Sequence, residues 1–138
     1  MFFRDKGFEF LSNMYPCRIQ LPTGEVFKCS ESAYMAHKPK ELDLRFLSLN
    51  GFEAKKLGKT VILRADWGKV RIPIMEEILR LKFSDKGLAE KLLGVQGEIV
   101  EDNYWGDTFW GRCKGVGENN LGKVLMKIRA DLELSHAS

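Results

Sequence analysis

Residues 17–39, CRIQLPTGEVFKCSESAYMAHKP, hold both kinds of secondary structure in one short stretch. Residues 17–21 and 25–28 alternate in polarity and are rich in β-branched and aromatic types. The turn Pro22-Thr23-Gly24 separates them, so they read as two short antiparallel strands. Ser30 then stands where a helix N-cap is expected, and the helix runs through about Lys38. Pro39 ends it, because the residue before a proline is pushed out of the helical region.

Working outward, 41–49 and 52–57 read as short helices separated by the Asn50-Gly51 break. A longer helix is expected over about 71–83, with Ile74, Ile78 and Leu81 on one face. Pro73 is placed in its first turn, where the missing N–H costs nothing. Another short helix covers 86–93, and 98–101 reads as a strand. The stretch 102–118 is rich in glycine and aromatics without a period, and reads as a loop. The last helix, about 119–134, places Leu121, Val124, Leu125, Ile128 and Leu132 on one face. The expected fold is α+β: a mostly helical single domain, spanning 1–138, with a small antiparallel sheet.

Composition narrows the function classes. The chain has 138 residues, 44% of them hydrophobic and 30% charged, which suits one well-solvated globular domain. The N-terminal MFFRDKGF lacks the apolar run of a signal peptide. No stretch approaches the roughly 18 apolar residues of a membrane span. The expectation is a cytoplasmic protein that does not engage membranes. Cys17, Cys29 and Cys113 are odd in number, widely spaced and form no CxxC, which argues against a disulfide framework or zinc knuckle. With only His37 and His136 as histidines, neither a metal nor another cofactor is expected. A net charge of +3 tolerates a phosphate-bearing substrate but does not mark a nucleic-acid binder, and the lysines are scattered.

Two nucleotide-binding lookalikes fail. Gly117 to Lys123 fits GxxxxGK, but Val124 lacks the hydroxyl a P-loop uses, and no apolar strand precedes it. Gly115-Val116-Gly117 lacks the third glycine of a dinucleotide fingerprint. These glycines are expected to serve loop geometry and close helix approach. Three polar and aromatic islands remain: 10–16, 30–38, and 104–107 with 117–122. Glu31 and Lys38 are seven apart, two helical turns on one face, with Tyr34 and Met35 between them. An acid and an amine could thus look into one pocket. Spacing alone favours a solvated helix with one exposed acid and one exposed lysine.

These islands carry a resemblance. Phe10-Leu11-Ser12-Asn13-x-Tyr15-Pro16 comes first, then Ser30-Glu31-x-Ala33-Tyr34-x-Ala36-x-Lys38. Trp67, Lys82-Phe83 and Tyr104-Trp105-Gly106-Asp107 follow, and then Gly117, Asn119, Leu121, Gly122, Leu125, Met126 and Arg129. In that order the chain resembles the NADAR (YbiA-like) family over about residues 10–129. It departs from the family pattern at Ser32, where many members have His, and at Met35, where many have Gln.

The resemblance implies an N-glycosidase acting where ribose C1′ is bonded to an exocyclic amine of an aminopyrimidinone or guanine. Its substrates would be phosphoribosylamino-pyrimidine intermediates of riboflavin synthesis, or ADP-ribosyl-guanine in nucleic acid. Glu31, Lys38 and Asp107 are the implied catalytic residues. Lys38 either forms a Schiff base at C1′ or stays charged and orients Glu31. Glu31 shuttles the proton that the leaving amine needs. Asp107 guides water or holds ribose hydroxyls. Asn13 and Asn119 offer amides to sugar or base. Tyr34 lines the pocket, Trp67, Tyr104 and Trp105 supply stacking surfaces, and Gly106 belongs to the same island. A competing reading keeps the pocket and drops the chemistry: a module that binds ADP-ribose or a nucleotide without hydrolysing it.

Overall fold

The computed structural model describes residues 1–137. The chain divides into two compact units. One is Asn13–Lys82, and the other joins residues 1–12 to the chain from Phe83 onward.

In the first unit, strands β1 (Ile19–Gln20) and β2 (Val26–Phe27) pair antiparallel, with Ile19 opposite Phe27 and Gln20 opposite Val26. Ile19 and Phe27 are fully buried while Gln20 and Val26 face out, as the period of two requires. The ladder is shorter than expected. Leu21 N–H donates to the Glu25 carbonyl at 2.9 Å, but Cys17 N–H reaches the Lys28 carbonyl, one residue off the register that Ile19 sets. The slip ends regular pairing.

Helix α1 (Ser30–Ala36) corrects two expectations. Its N-cap is Cys29, in extended conformation and without a side-chain cap; Ser30 lies inside the helix and is fully buried. The open end is satisfied from elsewhere, because Glu31 N–H donates to the Asn13 carbonyl at 2.9 Å. The helix also stops before Lys38. His37 and Lys38 continue as a tighter turn, their N–H groups reaching back to Tyr34 and Met35 at 3.1 Å.

The segment read as a helix over 41–49 is instead a 3-10 helix, Leu44–Ser48. The Asp43 side chain accepts from Arg45 N–H and sets a local turn that competes with the α-helix. Helix α2 (Gly51–Gly58) begins at the expected break. Asn50 and Glu53 cap each other's backbone N–H reciprocally.

Helix α3 (Trp67–Lys82) starts four residues earlier than expected, so Pro73 lies in its second turn. Pro73 leaves the Lys69 carbonyl without its usual helical donor. Both residues are exposed, so water can take that place. The buried stripe is Trp67, Met75, Ile78, Leu79 and Lys82, whereas Ile74 and Leu81 are half-buried.

In the second unit a 3-10 turn, Glu9–Leu11, buries Phe10 and Leu11. Helix α4 (Lys86–Leu93) has the expected bounds and is capped by Asp85. It packs on α5 (Asn120–Ala137), where Leu121, Val124, Leu125 and Ile128 are buried. Residues 98–101 are not a strand. The pairing falls just downstream, in a parallel pair of β3 (Asp102–Asn103) and β4 (Arg112–Cys113), inside the stretch read as loop. Gly117 and Gly122 are packing glycines. A Cβ at Gly122 would stand 2.1 Å from the Ile99 carbonyl oxygen, and one at Gly117 2.2 Å from that of Gly111. Among the described residues, no helix is long and apolar enough to cross a membrane.

Candidate active site

The structure gathers Asn13, Glu31, Tyr34, Lys38 and Trp67 in the unit Asn13–Lys82. Glu31 sits in the first turn of α1 and is half-buried. Tyr34, one turn on, is 4% exposed, and its ring lies 5.1 Å from that of Trp67 at a tilt of 49°. Trp67 is buried too, so it walls the site rather than standing open on it. Arg71, four residues after Trp67, follows it on the same face of α3.

Lys38 is half-buried, and its carbonyl accepts from Arg64 N–H at 2.8 Å, which fixes the turn that carries it. Three influences act on its amine. Burial pushes it below the ordinary lysine range. The Glu31 carboxylate pulls it back up, and the Arg71 guanidinium pushes it down further. The net shift is downward. A partly desolvated lysine under the influence of an acid and a second cation suits a nucleophile.

Asn13 contributes twice. Its carbonyl holds the start of α1, and its side-chain Nδ2 rests 3.6 Å from Met75 Sδ. Its Oδ1 is enclosed and lacks a hydrogen-bond partner among the described residues. That acceptor still has its hydrogen-bonding capacity to give.

Tyr104, Trp105, Gly106, Asp107 and Asn119 lie in the other unit, where several of them also support the chain locally. Asn119 is 1% exposed. Its Oδ1 accepts from Glu101 N–H at 3.0 Å and its Nδ2 donates to the Ile99 carbonyl at 2.9 Å. With both ends of the amide spent on backbone, Asn119 does not present it to a substrate. Asp107 is half-buried, and its Oδ1 accepts from Phe109 N–H at 3.0 Å and Trp110 N–H at 2.9 Å. Asn103 clamps the same turn from both sides, through Asp107 N–H and the Asp107 carbonyl. Gly106 takes φ +80°, which lets the turn close. The Tyr104 ring stacks on Phe2 at 4.7 Å, and its hydroxyl accepts from Arg4 Nη2 at 2.7 Å, so it is engaged within the protein. Trp105 is 60% exposed.

Arg71 belongs to none of the motifs that the sequence shows. Starting α3 at Trp67 would have put the two on one face. Lys82 was noticed only as part of a motif, yet it is fully buried. Arg129 holds the loop after α4, donating to the Val95 and Gly97 carbonyls at 2.7 Å each. Among the described residues, no group of three or more His, Cys, Asp and Glu is arranged to hold a metal ion.

Comparison with known proteins agrees with this architecture. The NADAR domain family model matches residues 1–133. A riboflavin biosynthesis protein of Vibrio vulnificus is 32% identical over 136 residues, covering 94% of this chain and 37% of that protein. An N-glycosidase of Nostoc punctiforme is 38% identical over 84 residues, covering 58% of this chain and 54% of that one. The chain therefore spans less than two thirds of the length of these curated relatives. The NMR structure of the Escherichia coli protein YbiA superposes with a TM-score of 0.84 at 25% identity, covering 98% of this chain and 83% of that chain. The expected α+β, mostly helical fold is thus the fold of a solved structure.

Proposed function

This chain belongs to the NADAR domain family, and from that premise we propose that it is an N-glycosidase cleaving the bond between ribose C1′ and an exocyclic amine on an aminopyrimidinone or guanine. The observation that carries the reading is Lys38, half-buried, acted on by Glu31 and Arg71, and with its charged form disfavoured. The bland reading of a solvated helix face does not produce that environment.

The chemistry follows from the substrate bond. A ribosyl amine opens its sugar ring to an imine at C1′ as the proton of its exocyclic nitrogen moves to O4′. The Lys38 amine adds to that carbon, the Glu31 carboxylate carries the protons of the added nitrogen across to the base nitrogen, and the base amine leaves. Lys38 is left as an imine on C1′. Glu31, again a carboxylate, takes a proton from water as it adds to C1′, and Lys38 departs as the amine. No redox partner is needed, and each proton exchanged at C1′ passes through one carboxyl. Tyr34 and Trp67 keep bulk water from the lysine. Asn13 Oδ1 accepts a sugar or base donor, and Asp107 acts as a positioning residue that shapes the Tyr104–Trp110 turn.

The test offers both substrate classes side by side: a phosphoribosylamino-pyrimidine, and ADP-ribosyl-guanine in an oligonucleotide. Free base is the readout, with borohydride added during turnover. Base release and sugar mass on the Lys38 peptide are expected, and Lys38→Arg should be inactive, because guanidinium stays protonated. Base release from neither substrate by folded protein would overturn the reading in favour of a non-hydrolytic binding module. An active Lys38→Arg protein that traps nothing would leave the glycosidase standing but reduce Lys38 to orienting Glu31.

A further inference from the structure

The unit that carries Glu31 also holds a group the glycosidase chemistry does not use. Lys82, at the end of α3, is fully enclosed, with its Nζ 5.8 Å from the centre of the Tyr15 ring. A cation taken wholly out of water needs compensating charge or polar contacts. The charges that act on it come from two thiols, Cys17 and Cys29. Those thiols belong to the two edges of the hairpin. Cys17 N–H donates to the Lys28 carbonyl at 2.9 Å, so Cys17 lies across the ladder from the peptide that joins Lys28 to Cys29. That bond keeps the two backbones one hydrogen bond apart, close to the roughly 4.4–6.8 Å Cα separation that a disulfide spans. Both cysteines are free thiols. Cys17 is half-exposed, while Cys29 is 1% exposed with its thiol 3.6 Å from Ser32 Oγ.

We infer that Cys17 and Cys29, seated on Lys82, form a redox-modification site: a reversible disulfide that clamps the hairpin to the N-cap of the helix bearing Glu31. Each residue has a distinct part. Cys17 is the thiol that solvent reaches. A peroxide oxidises its thiolate to a sulfenic acid, releasing hydroxide. The Cys29 thiolate then attacks the Cys17 sulfur, the S–S bond forms, and the sulfenic oxygen leaves as water after taking a proton. The peroxide is the oxidant, reduced by two electrons, and the pair of thiols supplies them. Since Cys29 caps α1 with its backbone, the bond fixes the residue from which Ser30 and Glu31 continue. The inference rests on the hairpin and Lys82, and holds whatever substrate the protein takes.

The test is a titration of the whole protein with hydrogen peroxide near pH 8, read by free-thiol count and peptide mapping. The expected result is loss of two of the three thiols. The Cys17 and Cys29 peptides should be joined, dithiothreitol should separate them, and Cys113 should stay free. Cys29→Ser should stop the reaction at a Cys17 sulfenic acid captured by dimedone. Cys17→Ser, at a partly exposed position and so tolerant of change, should leave Cys29 unreactive. Lys82→Met should slow thiol loss at least about tenfold, and Lys82→Arg should restore it, which separates charge from packing. Oxidation of Cys113 ahead of the pair would overturn the inference. So would a Cys17 sulfinic acid with Cys29 still reduced, or a cross-link from Lys82 to either sulfur.

Discussion

Asn119 gives the sharpest test of how the glycine-rich half of the chain is built. Replacing it with alanine removes two hydrogen bonds at once, and both partners are backbone groups: Glu101 N–H and the Ile99 carbonyl. Leaving a buried donor or acceptor unmet costs about 1–3 kcal/mol each. Asn119 also sits at φ +54°, a conformation asparagine tolerates and alanine resists by about 1 kcal/mol or more. The sum is about 3–7 kcal/mol, a large share of the roughly 5–15 kcal/mol that holds a domain folded. At this chain length that corresponds to a drop in Tm of roughly 10–20 °C. Asn119→Gly relieves the backbone term but not the lost bonds, so it should melt between alanine and wild type. Thermal unfolding followed by circular dichroism reads all three proteins. If Asn119→Ala melts within about 2 °C of wild type and only raises KM, the scaffold assignment is wrong and the amide faces substrate after all.

Three further outcomes are expected. Glu31→Gln should fold normally, with an unchanged melting curve, and lose at least about a hundredfold in base release, the usual cost of removing a positioned acid–base group; near-full turnover would sink the assignment. Because Lys38 acts as the free amine, the rate should rise with pH along a limb that lies below the ordinary lysine range. Arg71→Met removes a positive neighbour, raises the Lys38 pKa and should move that limb to higher pH, so an unmoved limb would mean that Arg71 does not act on Lys38. The third concerns Lys82, which burial pushes down to about 8. Between about pH 8 and the free-lysine range near 10.5, the unfolded chain binds a proton there that the folded chain does not. Stability should therefore rise with pH across that window by up to about 3 kcal/mol. Urea midpoints at the two ends would show it, and Lys82→Met should flatten the difference.

Much of the fold was legible because its signals are local. Helix α4 has the expected bounds because Asp85 caps one end and an apolar stripe fills the rest. The buried face of α5 follows from period 3.6 alone. Where the reading missed, a tertiary partner overrode a local rule. Pro73 signals a helix start only if its orphaned carbonyl would be buried. Here Lys69 is exposed, the helix extends back to Trp67, and Arg71 joins the face of Trp67. The parallel pair β3–β4 spans two residues per strand, too few for alternation to show. Tyr104, Asp107 and Asn119 looked like ligands because polar and aromatic residues among glycines suggest a site. The same composition serves a tightly wound loop, whose backbone groups must be satisfied by neighbouring side chains.

The two motifs around Asn13 and Glu31 are separate in sequence but form one device. Helix α1 has seven residues, far short of the roughly 12–15 that an isolated helix needs in water. It persists because six of its residues are buried and because Asn13 supplies an acceptor at the end where Glu31 sits. An ordinary N-cap side chain would satisfy that end equally well, but it would place a polar group beside the acid. Capping from a remote backbone carbonyl spares Glu31 a capping side chain at position 29. It also ties Asn13, whose Oδ1 is unspent, to the same spot. The motif that looks like a ligand and the motif that looks like a catalyst are therefore held together by one hydrogen bond, which no side-chain substitution at residue 13 removes directly. Asn13→Ala should accordingly keep the position of α1 and lose only what the amide does. The expected result is an unchanged melting curve with a raised KM, and a collapse of folding instead would show that the side chain supports the helix.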